Sequence, residues 1–358
     1  MSALPPGATI GILGGGQLGR MLAVAASRLG YRAHVLDPNE APAADVAAAF
    51  TLAGWDDGPA LDAFADAVDV VTCEFENVPA ATLERVAARR PVRPGPRAFA
   101  VAQDRLAEKK FLQGLGLATA PFRDVADEEA LRAAIEAIGA PAILKTRRMG
   151  YDGRGQARIG AGGDAAEAWA AIGGAPAILE GVVAFEREVS VIVARGLAGE
   201  VVCYDPGENV HEGGILRMTT VPARISAAER TDAALLAGRI VNALDYVGVM
   251  GVELFVTPAD LVVNEIAPRV HNSGHWTQAG CAVDQFEQHV RAIAGLPLGD
   301  GRRHADVTME NLIGRDLGRL PELLTATATQ IHLYGKAEVR PGRKMGHVNR
   351  IAGAGPRA

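Results

Sequence analysis

Apolar and polar positions follow two different rhythms along this chain, and the rhythm changes near residue 96. Residues 9–13, 31–36 and 68–73 are short apolar runs that read as buried strands, while residues 18–29 carry apolar positions at helical spacing. Strand, helix and strand in succession predict a parallel sheet covered by helices. Arg90-Pro-Val-Arg-Pro-Gly-Pro96 is the densest cluster of breakers in the first half and marks a domain boundary. Beyond it, helices are predicted over 103–112 and 128–138, and strands over 141–146, 177–180, 189–194 and 201–204. Ser226-Ala-Ala-Glu229 forms a capping box for a helix running to Leu244. Two further buried strands, 249–256 and 261–266, are joined by a Pro-Ala-Asp turn, and an amphipathic helix spans 283–296. From Asp300 onward the chain reads as a small α+β unit. The organisation expected is therefore mixed α/β and α+β, with domains at 1–96, 97–298 and 299–358.

The last pair of strands departs from its own pattern. Glu253 interrupts the first apolar run and Glu265, with Asn264 beside it, interrupts the second. A charge is seldom left inside a strand unless something pairs with it. If the strands are antiparallel neighbours, both carboxylates can face one point, and magnesium is commonly held by one or two carboxylates together with substrate phosphates. Arg269, His271, Asn272 and His275 follow directly, so the stretch suggests phosphoryl transfer to an acid. Two surface carboxylates on edge strands is the competing reading.

Phosphate-binding chemistry recurs elsewhere. Gly14-Gly-Gly-Gln-Leu-Gly19 lies between a strand and a helix, with Asp37 ending the next strand, which satisfies a dinucleotide fingerprint. Its physical content is backbone amides at a helix N-terminus, which suit a sugar phosphate equally well. Glu74-Phe-Glu-Asn-Val-Pro79 occupies the carboxyl end of a parallel strand, where open sheets place ligands. Arg105 stands near the start of one helix and Lys145 near the end of a strand. After Lys145, Arg147-Arg-Met-Gly-Tyr-Asp-Gly-Arg-Gly-Gln156 is a Gly-rich loop able to close over phosphates, though it lacks the ending of a Walker loop. Glu180 leads into Gly181, Val182 and Val183, a connector whose backbone could meet an adenine edge, with Glu188 placed for ribose hydroxyls. His211 is expected in a polar turn. Near the C-terminus, Lys336, Arg340, Arg343 and Lys344 face one acid, Glu338, a local reversal of charge that points to an anionic ligand.

Composition narrows the classes. The 358 residues carry a net charge of −6, which argues against a general nucleic-acid binder. No apolar run reaches the length of a membrane span and the start lacks a signal-peptide pattern, so a cytoplasmic protein is expected. Cys73, Cys203 and Cys281 are scattered and read as buried thiols. Only Lys109, Lys110, Lys145, Lys336 and Lys344 are lysines among 36 basic residues, which directs attention to sites that use an ammonium.

Taken together, these segments resemble the ATP-grasp superfamily, and within it the carboxyaminoimidazole ribonucleotide synthetases of purine synthesis. The run Ala267-Pro-Arg-Val-His-Asn-Ser-Gly-His-Trp-Thr277 and the Gly150-Tyr-Asp-Gly153 loop are the specific matches; the Gly-rich turn is not. The resemblance covers nearly the whole chain. It implies an ATP-grasp fold with a Rossmann-like (pre-ATP-grasp) N-terminal domain, a mobile lid at about 120–185 and a small C-terminal domain. It further implies that Gln17, Leu18 and Glu74 bind aminoimidazole ribonucleotide, with Tyr151 and Asp152 facing the imidazole when the loop closes. Arg105, Lys145, the loop Gly150, Tyr151, Asp152, Gly153, Arg154, Gly155 and Gln156, then Glu180, Gly181, Val182, Val183, Glu188, His211, Asn264 and Glu265 would hold ATP. Glu253 and Glu265 would coordinate magnesium, with two ions expected. Arg269, His271, Asn272 and Lys336 would surround bicarbonate, and Lys336, Arg343 and Lys344 the ribonucleotide phosphate. Arg154 stands where the family commonly has lysine, which keeps the charge. A homodimer is implied, with no NAD, nucleic acid or membrane partner. A formate-dependent purine transformylase or another ligase of the superfamily is the neighbouring alternative, and a nicotinamide-dependent oxidoreductase the one from another class.

Overall fold

The computed structural model describes residues 3–150 and 155–352. Three sheets organise it. The first is parallel, with β1 (Thr9–Leu13), β2 (Arg32–Asp37), β3 (Ala49–Leu52) and β4 (Val70–Cys73) in the order β3-β2-β1-β4. β4 is buried throughout and β1 nearly so, as expected of parallel strands covered on both faces. The carboxyl ends of β1 and β4 lie side by side, Leu13 opposite Cys73, and deliver the Gly-rich turn and Glu74 to one crevice.

The second sheet is antiparallel, formed by β5 (Phe122–Val125), β6 (Ala142–Thr146), β7 (Gln156–Ile159) and β8 (Ala177–Gly181) in the order β5-β8-β6-β7. The helices Glu128–Ile138 and Ala165–Ala171 contribute Leu131, Ala134 and Ala168 to its separate core with Leu144 and Leu179. The residues linking β8 to the third sheet include Val182, which is exposed.

The third sheet has nine antiparallel strands. They are β9 (Arg187–Arg195), β10 (Val201–Cys203), β11 (Gly207–Glu212), β12 (Ile215–Val221), β13 (Gly248–Val256), β14 (Leu261–Ala267), β15 (Val307–Ile313), β16 (Thr329–Leu333) and β17 (Lys344–Ile351). Their order is β14-β13-β9-β11-β12-β15-β17-β16, with β10 paired to β9. Pairing of β12 with β15 carries the C-terminal strands into this sheet, so 334–344 lies within reach of the site assembled by β9–β14. The helix Ala227–Ala243 covers one face, opened by the reciprocal Ser226–Glu229 capping box read from the sequence.

Directly after the breaker cluster a helix, Pro96–Ala102, begins, because proline is well suited to a first helical turn. One local expectation changes. Residues 207–221 form the hairpin β11–β12. His211 therefore lies in a strand, beside a register shift between Val210 and His211, and not in a turn.

Candidate active site

The register of β13 against β14 sets Glu253 directly opposite Glu265. Directly paired residues share a face of the sheet, so both carboxylates point the same way. The neighbouring strands add Glu188 from β9 and His211 from β11, which are in hydrogen-bond contact. Burial and the adjacent Glu265 push the Glu253 carboxyl up to about 7. Burial pushes Glu265 the same way, but Arg105, Lys145 and Lys109 outweigh it and hold that carboxyl below its ordinary range. Burial alone would lower the His211 pKa; contact with Glu188 and the charges of Glu253 and Glu265 raise it. Among the described residues no three His, Cys, Asp or Glu side chains form an ion cage. Two converging carboxylates, one made harder to ionise by burial and by the other, nevertheless suit a divalent ion that completes its shell with phosphate oxygens.

The helix Arg105–Gly114 lies against the back of β14. Asp104 caps it, accepting from the amides of Leu106 and Ala107. Arg105 Nη1 reaches Glu265 Oε2 at 3.2 Å, and its Nη2 donates to the Gly150 carbonyl at 3.3 Å. Lys145, near the end of β6, donates to Glu180 Oε2 at 2.7 Å. Gly155 and Gln156 follow the Gly-rich loop, with Gln156 opening β7, while Tyr151, Asp152, Gly153 and Arg154 lie outside the described residues.

Sequence reading missed two neighbours of Arg105. Glu108 accepts from the Ile266 amide at 2.6 Å and Lys109 donates to the Asn264 carbonyl at 2.6 Å. Burial pushes the Glu108 carboxyl up to about 8. Their spacing of three and four from Arg105 was the available signal, since those positions share a helix face.

After β14 the chain turns sharply across Gly251. A Cβ there would meet the His271 Cβ at 2.6 Å, so the glycine lets the imidazole lie on the strand. His271 Nδ1 is 2.8 Å from Ser273 Oγ and Nε2 is 3.6 Å from Glu253 Oε1. Burial, then the charges of Arg269 and Lys344, keep His271 neutral. The Asn272 amide is buried with neither its nitrogen nor its oxygen partnered, as expected of a group awaiting a ligand. Arg269 pairs with Glu76 at 2.7 Å and so ties this loop to the segment after β4.

That segment also explains the Gly-rich turn. Glu74 accepts from the amides of Gly16 at 3.0 Å and Gly19 at 3.2 Å, and Asp37 accepts from Gly15 at 2.7 Å. Carboxylates therefore take the amides that a pyrophosphate would need, which removes the physical basis of the nicotinamide reading. Gln17 is half-buried at the crevice, whereas Leu18 packs its side chain into the core, which leaves its backbone for the substrate contact expected of it.

From the C-terminal strands, Lys336 donates to the Lys344 carbonyl at 2.8 Å and Arg343 to the Glu338 carbonyl at 3.0 Å. Gly335 adopts φ +72°, and a Cβ there would sit 3.3 Å from Arg20 and 3.4 Å from Asp45. The loop bearing Lys336 is thus seated against the helix that follows the Gly-rich turn. Beneath it, Tyr334 Oη is 2.7 Å from His347 Nδ1, and His347 stacks between His275 and His332.

A four-stranded antiparallel sheet that carries Lys145, followed by a larger antiparallel sheet that carries the paired carboxylates, defines an ATP-grasp protein. The ATP-grasp domain matches residues 110–286, the ribonucleotide synthetase preATP-grasp domain residues 7–103, and the phosphoribosylaminoimidazole carboxylase C-terminal domain residues 308–355. The N5-carboxyaminoimidazole ribonucleotide synthase of Brucella melitensis is 54% identical over 98% of this chain and 98% of its own. The ADP complex of an N5-carboxyaminoimidazole ribonucleotide synthetase superposes with a TM-score of 0.95 at 42% identity, covering 98% of this chain and 94% of the other. An Aspergillus clavatus N5-carboxyaminoimidazole synthase in complex with ADP and 5-aminoimidazole ribonucleotide gives 0.91 at 35% identity, over 97% and 94%. The chain belongs to the N5-carboxyaminoimidazole ribonucleotide synthase family.

The Glu253 shift has a signed consequence. A carboxyl raised from 4.5 to about 7 in the fold is harder to ionise there than in the unfolded chain, so ligand-free stability falls as pH rises through that window. Glu253→Gln should therefore gain in melting temperature relative to the parent between pH 5 and about 8. Parallel melting curves across that range check this; a constant difference would show that Glu253 ionises normally.

Proposed function

We propose that the protein carboxylates 5-aminoimidazole ribonucleotide with bicarbonate and ATP, giving carboxyaminoimidazole ribonucleotide, ADP and phosphate in purine biosynthesis. The observation that carries this reading is the direct opposition of Glu253 and Glu265, with Arg105 and Lys145 close enough to hold the Glu265 carboxyl below its ordinary range. Membership of the family supports the overall reaction, and the ADP and aminoimidazole ribonucleotide bound to the Aspergillus relative support the two larger substrates. The working units are 1–96, 97–298 with the lid at about 120–185, and 299–358.

Glu253 and Glu265 would hold magnesium, which supplies charge neutralisation for the nucleotide phosphates. Arg105 and Lys145 offset further phosphate charge, while Glu188 and His211 bound the nucleotide side. The Glu180–Val183 connector joins the two sheets between which the nucleotide would lie. Bicarbonate attacks the γ-phosphorus and ADP leaves, giving carboxyphosphate; its C–O bond then breaks to release carbon dioxide and phosphate. The substrate amine forms the new N–C bond with loss of one N–H proton. Arg269 balances negative charge, and Asn272 offers the unpaired amide that a carboxylate or carbonate oxygen needs. A neutral His271 contributes hydrogen bonding without repelling Arg269. Lys336, Arg343 and Lys344 would receive the ribonucleotide phosphate, with Gln17 and Glu74 at the crevice between. Exclusion of water by the closed lid would protect carboxyphosphate, which hydrolyses readily. We place the protein in the cytoplasm as a homodimer.

The direct test is ADP release with bicarbonate and aminoimidazole ribonucleotide omitted in turn; full turnover without either one would overturn the scheme. Glu265→Gln should lower ATP turnover by about a hundredfold or more with its circular dichroism unchanged. Lys336→Ala should raise the KM for aminoimidazole ribonucleotide about tenfold while the Kd for ATP, read by calorimetry, stays within about twofold.

A further inference from the structure

Two adjacent lysines on one helix have opposite fates. Lys110 is exposed, whereas Lys109 is 1% exposed and is placed among charged groups rather than apolar ones. A buried ammonium is tolerated only where it is paired and hydrogen-bonded. Lys109 Nζ lies 2.6 Å from the Asn264 carbonyl, next to Glu265, and 3.6 Å from Glu180 Oε1. The other oxygen of Glu180 is 2.7 Å from Lys145 Nζ. Glu180 thus stands between two lysines, one on the lid and one on the helix behind the central sheet.

That arrangement creates a competition. Lys145 can serve a nucleotide only by giving up part of its bond to Glu180, and Glu180 is itself buried at 4% exposure. A carboxylate left alone there would be costly, so it would hold Lys145 back. Lys109 is the one remaining cation in ion-pair range of Glu180 among the described residues. Glu180 Oε1 currently lacks a hydrogen-bond partner, although it faces Lys109 at ion-pair distance. A small shift of the lid would close that gap.

We infer that Lys109 is a positioning residue of the ATP site: it takes over Glu180 when nucleotide claims Lys145, and at the same time fixes the backbone beside Glu265. The inference rests on the assignment of Lys145 and Glu265 to nucleotide binding. Glu108 completes the clamp by accepting from the Ile266 amide, so the backbone is held on both sides of Glu265.

The test is a double-substitution cycle read by ATP calorimetry in the presence of magnesium, on the full chain. Lys109→Met leaves Glu180 bound to Lys145 alone and should weaken ATP binding about tenfold or more. In a Glu180→Gln background the competitor is already gone, so the same Lys109→Met change should cost ATP binding less than about threefold relative to Glu180→Gln alone. A role confined to packing predicts the same loss in both backgrounds, because the Lys109 side chain is truncated equally in each. Unchanged ATP affinity in Lys109→Met, or an equal loss in the Glu180→Gln background, would overturn the inference. Should Lys109→Met alone fail to fold, the comparison of the double variant with Glu180→Gln decides: a difference under about threefold upholds the role, and a larger loss or failure to fold overturns it. The KM for aminoimidazole ribonucleotide should move less than twofold in either variant. If the parent itself binds ATP but shows no dependence on bicarbonate or aminoimidazole ribonucleotide, the reaction assignment fails while the ATP-site result still stands.

Discussion

Two carboxylates set face to face in a buried sheet form the constraint around which this protein is built. Like charges about 4 Å apart repel by about 4 kcal/mol even at an effective dielectric near 20. Displacement of Glu253 from 4.5 to about 7 corresponds to about 3 kcal/mol of disfavoured ionisation, to which burial contributes most and the charge of Glu265 next. A sheet gains nothing in stability from such a pair. Its register is nevertheless fixed by apolar neighbours, Val252 opposite Ile266 and Leu254 opposite Val263, so the repulsion is held in place. A divalent ion brought in by a nucleotide would reverse the sign of the interaction.

The surrounding structure distributes compensating charge without cancelling that pair. Arg105 reaches Glu265 from behind the strand, and Lys109 and Glu108 pin the backbone on either side of it. Among the described residues Glu253 receives no such cation, only the Asn264 amide, the His271 ring at a distance and the influence of His211. One carboxylate is therefore ready and charged, the other poised. The N-terminal sheet fills its own helix N-terminus with Glu74 and Asp37, turning a generic anion site into an acidic wall. The basic loop from β16 to β17 closes against it through Gly335, so opposite charges face each other across the proposed ribonucleotide site.

Much of this was legible in the residues. Acids inside apolar runs identified Glu253 and Glu265, and the strand limits followed from the same runs within a residue or two. The His271 loop was recognisable as a motif, and within it the Asn272 amide is buried without a hydrogen-bond partner. What escaped was what depends on three-dimensional burial. Glu108 and Lys109 look like a solvated helix face until the helix is laid on β14. Leu18 sits beside Gln17 in a motif, but one residue of rotation sends it into the core. The strand holding His211 is half-exposed and polar, giving no clean alternation, and its bulge erases what period remains. The hydrogen bonds from Gly15, Gly16 and Gly19 to carboxylates more than twenty residues away could not be read from a local turn pattern.

The account stands on the carboxylate pair gripping a nucleotide-borne cation. Anomalous diffraction from crystals grown with ADP and manganese as the probe ion addresses that claim without reference to turnover. A manganese peak within about 2.0–2.5 Å of oxygens from both Glu253 and Glu265, bridged to phosphate, is the predicted result. Density for ADP in the cleft with manganese bound elsewhere, or touching neither carboxylate, would contradict it.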